Sequence, residues 1–206
     1  MNLVIVESPS KSKTLMKYLG PDFEVMASVG HIRDLPKGNL GIDVDNKFET
    51  VYEVSPDKKK VITQLKSALK KSSKLYIATD PDREGEAIAW HLLEVLKPKN
   101  IPVHRLVFYE ITKGAVQDSL KNTREIDQSL VNAQETRRIL DRLFGYKVSK
   151  ELWKNVKGKL SAGRVQSPAI KIIVDREKER QKFVMATYFS ITGEFIKGDE
   201  KFQAEL

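Results

Sequence analysis

Cysteine is absent from the chain of 206 residues, which excludes disulfides, thiolate zinc sites and a cysteine nucleophile within it. Long hydrophobic runs are missing too. The apolar start, Leu3-Val4-Ile5-Val6, is far too short for a signal-peptide core or a membrane span, and no other stretch approaches transmembrane length. A cytoplasmic protein is the expectation. There is no internal repeat and no low-complexity segment. What is present suits an ordinary buried core: 40% of residues are hydrophobic and 31% charged. The net charge of +8 suits a polyanionic partner, because clustered Lys and Arg displace counterions from phosphates. A merely soluble basic protein would carry the same balance.

Leu3 to Val6 is a β-branched run fitting a strand buried on both faces. Ser8-Pro9-Ser10 supplies turn and capping chemistry for a helix that Gly20-Pro21 ends. Glu24 to Val29 reads as a second strand, and residues 30–56 show mostly loop signals. Ser55-Pro56-Asp57 opens a helix with Val61, Leu65, Ala68 and Leu69 on one face. Lys74 to Thr79 reads as another buried strand, running into Asp80. Glu84 to Leu96 follows as a helix whose inward stripe is Ile88, Leu92, Val95 and Leu96. Val103 to Tyr109 is a further strand, and Thr112 can cap the next helix. This alternation predicts an α/β fold, a mostly parallel sheet with helices on both faces. Beyond residue 125 the character changes to long amphipathic helices, Ser129 to Phe144 and Ser167 to Arg180. A strand-like tail, Tyr188 to Leu206, closes the chain.

The most informative stretch is Asp80-Pro81-Asp82-Arg83-Glu84-Gly85-Glu86, directly after a buried strand. Sites in such sheets form at the carboxyl ends of strands. Asp80, Asp82 and Glu84 at alternate positions repel one another, so a cation must compensate or one acid must hold a proton. Mg²⁺ is a natural answer, being a hard ion that takes one or two carboxylates plus water and phosphate oxygens. Acids at a helix start also serve simply as caps. Glu7 ends another buried strand, and neighbouring parallel strands would bring it to the same edge. Glu7 can hold or deliver a proton, while Lys11 and Arg83 can stabilise charge on a phosphoryl group.

Glu7-Ser8-Pro9-Ser10-Lys11 together with the Asp80–Glu86 string resembles the Toprim domain shared by topoisomerases and primases. Four further strings resemble bacterial type IA DNA topoisomerases. They are Val29-Gly30-His31-Ile32-Arg33-Asp34-Leu35-Pro36, Ala87-Ile88-Ala89-Trp90-His91, Phe108-Tyr109-Glu110-Ile111-Thr112 and Leu160-Ser161-Ala162-Gly163-Arg164-Val165-Gln166-Ser167. The resemblance spans essentially the whole chain. It implies a monomeric enzyme that cuts one DNA strand through a tyrosine, leaving a 5′-phosphotyrosine, passes another strand and reseals the gap without ATP. In that family Glu7 matches the acid/base near the 3′ oxygen and Lys11 the transition-state cation. Asp80 and Asp82, with Glu7 or Glu84, match the Mg²⁺ ligands. Arg83 matches an arginine that either contacts phosphate or braces the acids.

The resemblance divides the chain into a Toprim-like metal-binding domain over 1–112, a boundary over 113–127, and a mainly helical partial second domain over 128–182. The start of a β-rich arch would occupy 183–206. It assigns Arg137, Arg138, Asp141 and Arg142 to a helix that grips single-stranded DNA. On spacing alone this is a solvated face with ordinary ion pairs. Tyr146 and Trp153 offer aromatic faces beside Lys147, Lys150, Lys154, Lys157 and Lys159, the usual form of single-strand recognition, although either ring could be core. Ser161, Ala162, Gly163, Arg164, Val165 and Gln166 place free N–H groups and side-chain donors ahead of a helix, where a phosphate can sit. His31 matches a family DNA contact, whereas His91 and His104 have no such support.

The family's nucleophile sits in a Gly-x-Ile-[Ser/Thr]-Tyr-x-Arg type string, and none of Tyr18, Tyr52, Tyr76, Tyr109, Tyr146 or Tyr188 does. The expectation is an N-terminal fragment that binds Mg²⁺ and single-stranded DNA but does not relax supercoils. The competing classes are a stand-alone Toprim nuclease or primase-like protein, and a nucleic-acid-binding module whose acids are only caps. The segment 128–182 argues against a minimal nuclease.

Overall fold

The computed structural model describes residues 1–158 and 160–206, so Lys159 of the expected basic track lies outside the described residues. Alternate side chains of the first strand point to opposite faces, and both faces are apolar. The fold follows from that double demand. Strand β1 (Asn2–Val6) leads through helix α1 (Pro9–Leu19) to β2 (Phe23–Ala27). Four two-residue strands follow in the loop-rich stretch: β3 (Arg33–Asp34), β4 (Ile42–Asp43), β5 (Glu49–Thr50) and β6 (Glu53–Val54). A short turn of 3₁₀ helix precedes α2 (Lys59–Lys70), which leads to β7 (Lys74–Ile77), α3 (Arg83–Leu96) and β8 (Val103–Arg105). Helices α4 (Lys113–Lys121) and α5 (Gln128–Asn155) complete the first compact unit, Met1–Gly163.

The main sheet has the order β2-β1-β7-β8 and every pair in it is parallel. Leu3 and Ile5 point to one face, where they meet Leu65 and Leu69 of α2 and Ile88, Leu92 and Leu96 of α3. Val4 and Val6 point to the other, against Leu15 of α1 and Val116 of α4. The strands at the centre are therefore covered on both sides, as the continuous apolar runs imply.

Some elements differ from their expected limits. The strand read as Val103 to Tyr109 ends at Arg105. Its neighbour β7 ends at Ile77, and Leu106 N–H donates to that residue's carbonyl at 2.9 Å before the chain leaves the sheet. In α2 it is Ile62 rather than Val61 that is buried, with Leu65, Ala68 and Leu69. Helix α5 runs to Asn155 instead of stopping at Phe144, passing through Gly145 without a break. A glycine costs a helix interior only about 1 kcal/mol, too little to end one alone. Loop residues 30–56 hold two small antiparallel pairs, β3 with β6 and β4 with β5.

The second unit, Arg164–Leu206, consists of α6 (Gln166–Lys182) and a hairpin of β9 (Thr192–Lys197) with β10 (Glu200–Glu205). The ion pairs Lys171–Asp175, Arg176–Glu179 and Arg180–Glu177 lie at helical spacing along α6. Among the described residues no helix is long and apolar enough to cross a membrane.

Candidate active site and nucleic-acid interface

Because β1 and β7 are parallel neighbours, with Ile5 opposite Ile77, the residues leaving their carboxyl ends emerge side by side. Glu7 and Asp80 meet there. Asp80 N–H donates to Glu7 Oε2 at 2.9 Å. Ser8 caps α1, with Pro9 in its first turn, which aims Lys11 back at the same edge. The Lys11 ammonium bridges Glu7 Oε1 and Asp80 Oδ1. Burial works to lower the Lys11 pKa, but the hydrogen bonds to Asp80 and Glu7 outweigh it and leave it raised. Burial likewise works to raise Asp80, yet the Lys11 and Glu7 hydrogen bonds hold its carboxyl below the usual range, helped by the nearby Arg105 charge.

The other acids of the string face elsewhere. Asp82 caps α3, its carboxylate accepting from Gly85 N–H at 2.8 Å. Glu84 lies near His31 Nε2 at 3.5 Å and Arg137 at 3.6 Å, and it accepts from Gln134 Nε2 at 3.3 Å. Arg83 is exposed at the start of α3, with no side-chain hydrogen bond or ion pair among the described residues. No three His, Asp or Glu side chains among the described residues gather about one point. Glu7 and Asp80 thus meet at the rim of the sheet, while Asp82 and Glu84 follow along α3 without closing a cage. That donor set still fits Mg²⁺, which commonly takes one or two carboxylates and completes its shell with water and phosphate. The placing of an ammonium between Glu7 and Asp80 marks where positive charge is wanted.

Gly85 explains how the loop closes so tightly. A Cβ there would lie 2.1 Å from the Asp80 carbonyl oxygen and 2.7 Å from its nitrogen, so only glycine fits.

Helix α5 packs against α3, which brings its arginines to this rim. Arg137 reaches Glu84 and lies 3.8 Å from Asp141. Arg138, three residues before Asp141, is within helical reach of it like Arg137, but its guanidinium forks onto Asp34, Nε at 2.9 Å and the terminal nitrogen at 2.5 Å. Arg142 donates to the Pro36 and Leu35 carbonyls and to Tyr146 Oη, and sits 5.4 Å over the Tyr146 ring. Tyr146 in turn donates to the Lys37 and Asn39 carbonyls, so it is tethered at the surface and not part of the core. A cavity of about 310 Å³ is lined by His31, Asp34, Glu84, Gln134, Arg137, Arg138 and Asp141.

At the far end of α5, Trp153 is 56% exposed and its Nε1 donates to the Leu160 carbonyl. Ala162 N–H donates to Ser149 Oγ at 3.1 Å, which uses one amide of the segment expected to meet phosphate. Ser161 is exposed and Gly163 half-buried at the end of the first unit. Arg164, Val165 and Gln166 belong to the second unit, all exposed, with Gln166 opening α6.

The sequence reading missed Asp34, Gln134 and Arg105. Asp34 lies inside the Val29–Pro36 string, but its partner Arg138 is 104 residues away. Gln134 sits one helical turn before Arg137 and Arg138, so its spacing was a usable signal. Arg105 was hidden inside a predicted strand, where a charged residue is itself the clue.

Known families match the chain along nearly its whole length. The Toprim domain family model matches residues 2–111, and the DNA topoisomerase family model, the bacterial one, matches residues 125–205. A Toprim domain is therefore the class that the parallel sheet and its acidic rim define. The chain belongs to the Toprim family and joins that domain to a bacterial topoisomerase domain. It is 57% identical to DNA topoisomerase 1 of Streptomyces coelicolor over 209 residues, covering 95% of this chain and 22% of that relative. It is 55% identical to the Mycolicibacterium smegmatis enzyme, covering 93% of this chain and again 22% of the relative. The solved full-length topoisomerase I of Thermotoga maritima matches with a TM-score of 0.77 and 46% identity, over 93% of this chain and 32% of that one. The chain thus spans about a fifth of the length of these curated relatives.

Proposed function

We propose that this chain supplies the acid–base and Mg²⁺-binding part of a DNA strand-cleaving and rejoining site, and that it grips the single strand beside that site. The observation that carries the reading is the shared rim. Glu84, two residues after Asp82 of the acidic string, faces Arg137 of α5, and the two line one cavity with His31 and Arg138. The division of labour follows the chain: 1–112 for the acids, 113–127 as a link, 128–182 for the strand and 183–206 as the start of an arch. The whole enzyme would act as a monomer on single-stranded segments of negatively supercoiled DNA in the bacterial cytoplasm.

As the tyrosine oxygen bonds to phosphorus, losing its proton to water, and the 3′ oxygen leaves, Glu7 in its protonated form gives that oxygen its proton and takes it back on resealing. Its carboxylate is oriented for this by Lys11 and by the Asp80 amide. The Lys11 ammonium steadies negative charge gathering on the phosphoryl oxygens, and the unpaired Arg83 guanidinium is free to reach the same group. Bound by Asp80 and Asp82 with Glu7 or Glu84, Mg²⁺ would add positive charge to the phosphate oxygens. His31, Arg137, Arg138 and Arg142 hold the backbone, Tyr146 and Trp153 stack on bases, and Asp141 orients Arg137. The segment Ser161 to Gln166 offers amides and side chains to a further phosphate. The attacking tyrosine comes from outside residues 1–206.

Three measurements on the purified chain test this together. Calorimetry should register Mg²⁺ binding that Asp80→Ala/Asp82→Ala abolishes, and anisotropy should register preference for single-stranded over duplex oligonucleotides. Plasmid relaxation should be absent. Unchanged metal affinity in the double variant would reduce the acids to caps, and Mg²⁺-dependent relaxation would place the nucleophile within the chain.

A further inference from the structure

Behind the acidic rim lies a buried charge cluster that the mechanism above does not use. Glu86, in the first turn of α3, is fully buried. Its Oε1 accepts from Arg105 Nε at 3.0 Å and from Arg124 at 2.6 Å, and its Oε2 accepts from Asp127 N–H at 3.1 Å. Arg105 closes β8 and is 2% exposed. Besides Glu86 it donates to the Ile77 carbonyl at 3.2 Å, the Leu106 carbonyl at 2.5 Å and the Asp80 carbonyl at 2.7 Å.

The last contact matters most. Asp80 has its N–H held by Glu7 and its C=O held by Arg105, so its backbone is fixed from both sides. A fork donating to four acceptors at once needs a planar guanidinium, which no ammonium can replace. The same cluster reaches α5. Arg124 and Arg105 exchange backbone hydrogen bonds at 3.0 and 3.1 Å, and Asp127, held by Glu86, caps α5 through Ser129 and Leu130 N–H.

We infer that Arg105 is a positioning residue: bridging Glu86 and the Asp80 carbonyl, it sets where the Asp80 carboxylate stands and ties that acid to the start of α5. This rests on Asp80 being a working acid of the proposed site. It does not make Arg105 a contact for DNA or metal, since it is sealed beneath the loop.

The test uses the whole 206-residue chain in four forms: unaltered, Asp80→Asn, Arg105→Lys and Arg105→Met/Glu86→Gln. The double variant leaves no lone buried charge and keeps one amide oxygen, which can accept from the Asp127 amide while the half-exposed Arg124 turns to water, so it should fold. Asp80 amide exchange in metal-free protein and Mg²⁺ affinity by calorimetry are read on every form that melts cooperatively. The double variant should exchange the Asp80 amide faster and bind Mg²⁺ about 10-fold or more weaker, the usual scale for removing an outer support of a metal site. Arg105→Lys should fail to rescue either reading, and it carries both should the double variant not fold. Wild-type exchange at Asp80 in a folded variant would overturn the inference. So would wild-type Mg²⁺ affinity there, provided Asp80→Asn had lost it. If Asp80→Asn itself bound Mg²⁺ normally, the metal reading of the site would fall. The exchange result alone would then decide Arg105, faster exchange supporting the inference and unaltered exchange sinking it.

Discussion

Acid should loosen the loop that carries His31 and Asp34, and His91 is the group responsible. His91 is 2% exposed, and its Nδ1 accepts from Arg33 Nε at 2.6 Å. Arg33 lies over the Trp90 and Tyr52 rings at 4.8 and 5.3 Å, so this contact anchors β3 to α3. Burial, and then the Arg33 and His31 charges, push the His91 pKa down to about 3, with Asp34 opposing. The unfolded chain binds a proton at this residue below about 6.5, while the folded chain does not until far lower. Stability is therefore fully present above 6.5 and is lost as the pH falls towards 3. Each unit within that window is worth about 1.4 kcal/mol, so going from pH 7 to 5 removes about 2 kcal/mol. For a unit of this size that lowers the melting temperature by roughly 4–8 °C.

His91→Asn isolates the effect, because the amide oxygen can replace Nδ1 as the acceptor for Arg33 and does not titrate. Any cavity it leaves destabilises equally at both pH values. Urea unfolding of both proteins at pH 7 and pH 5 gives the difference directly. The unaltered chain should lose about 2 kcal/mol more than the variant on acidification. Equal losses would refute the reasoning, as would a His91 proton titrating by NMR near the free-histidine value.

Other perturbations probe single contacts. Gly85→Ala should lower stability by about 3 kcal/mol in a thermal melt, since its Cβ cannot fit 2.1 Å from the Asp80 carbonyl; an unchanged melt would mean the loop simply moves. Glu86→Ala strands the buried Arg105 guanidinium and should destabilise by about 3–5 kcal/mol in denaturant, far more than a surface carboxylate would. Arg138→Ala and Arg142→Ala should each flatten the salt dependence of single-strand binding, by about 0.7 in the slope of log K against log salt, and an unaltered slope would leave them as braces for the 34–39 loop.

The meeting of Glu7 with Asp80 was legible in the amino-acid sequence, because two buried runs each ending in an acid imply parallel neighbours with a common edge. Their register in the sheet brings the two acids into contact. The helix capped at Thr112 was equally readable, for a hydroxyl accepting from Ala115 N–H is a local event. What could not be read depends on docking. Arg138 finds Asp34 rather than Asp141 because α5 lies along α3 beside the β3 loop, and no periodicity within α5 encodes that. The inward face of α3 was underestimated for the same reason. Packed against both the sheet and α5, it buries Glu86, Ala87, Ala89 and His91 beyond the expected stripe, while Val95 is only half-buried.

Helix α5 carries a mechanical consequence. Its 28 residues make a rod of roughly 42 Å at 1.5 Å per residue. About a third of the way along, Arg137 meets Glu84, and near the far end Trp153 stands open to solvent. An unbroken rod transmits displacement along its length, so under the proposed function a nucleotide stacked on Trp153 would tug at Glu84. On the proposed reading, strand tension at the tryptophan would be felt at the acids.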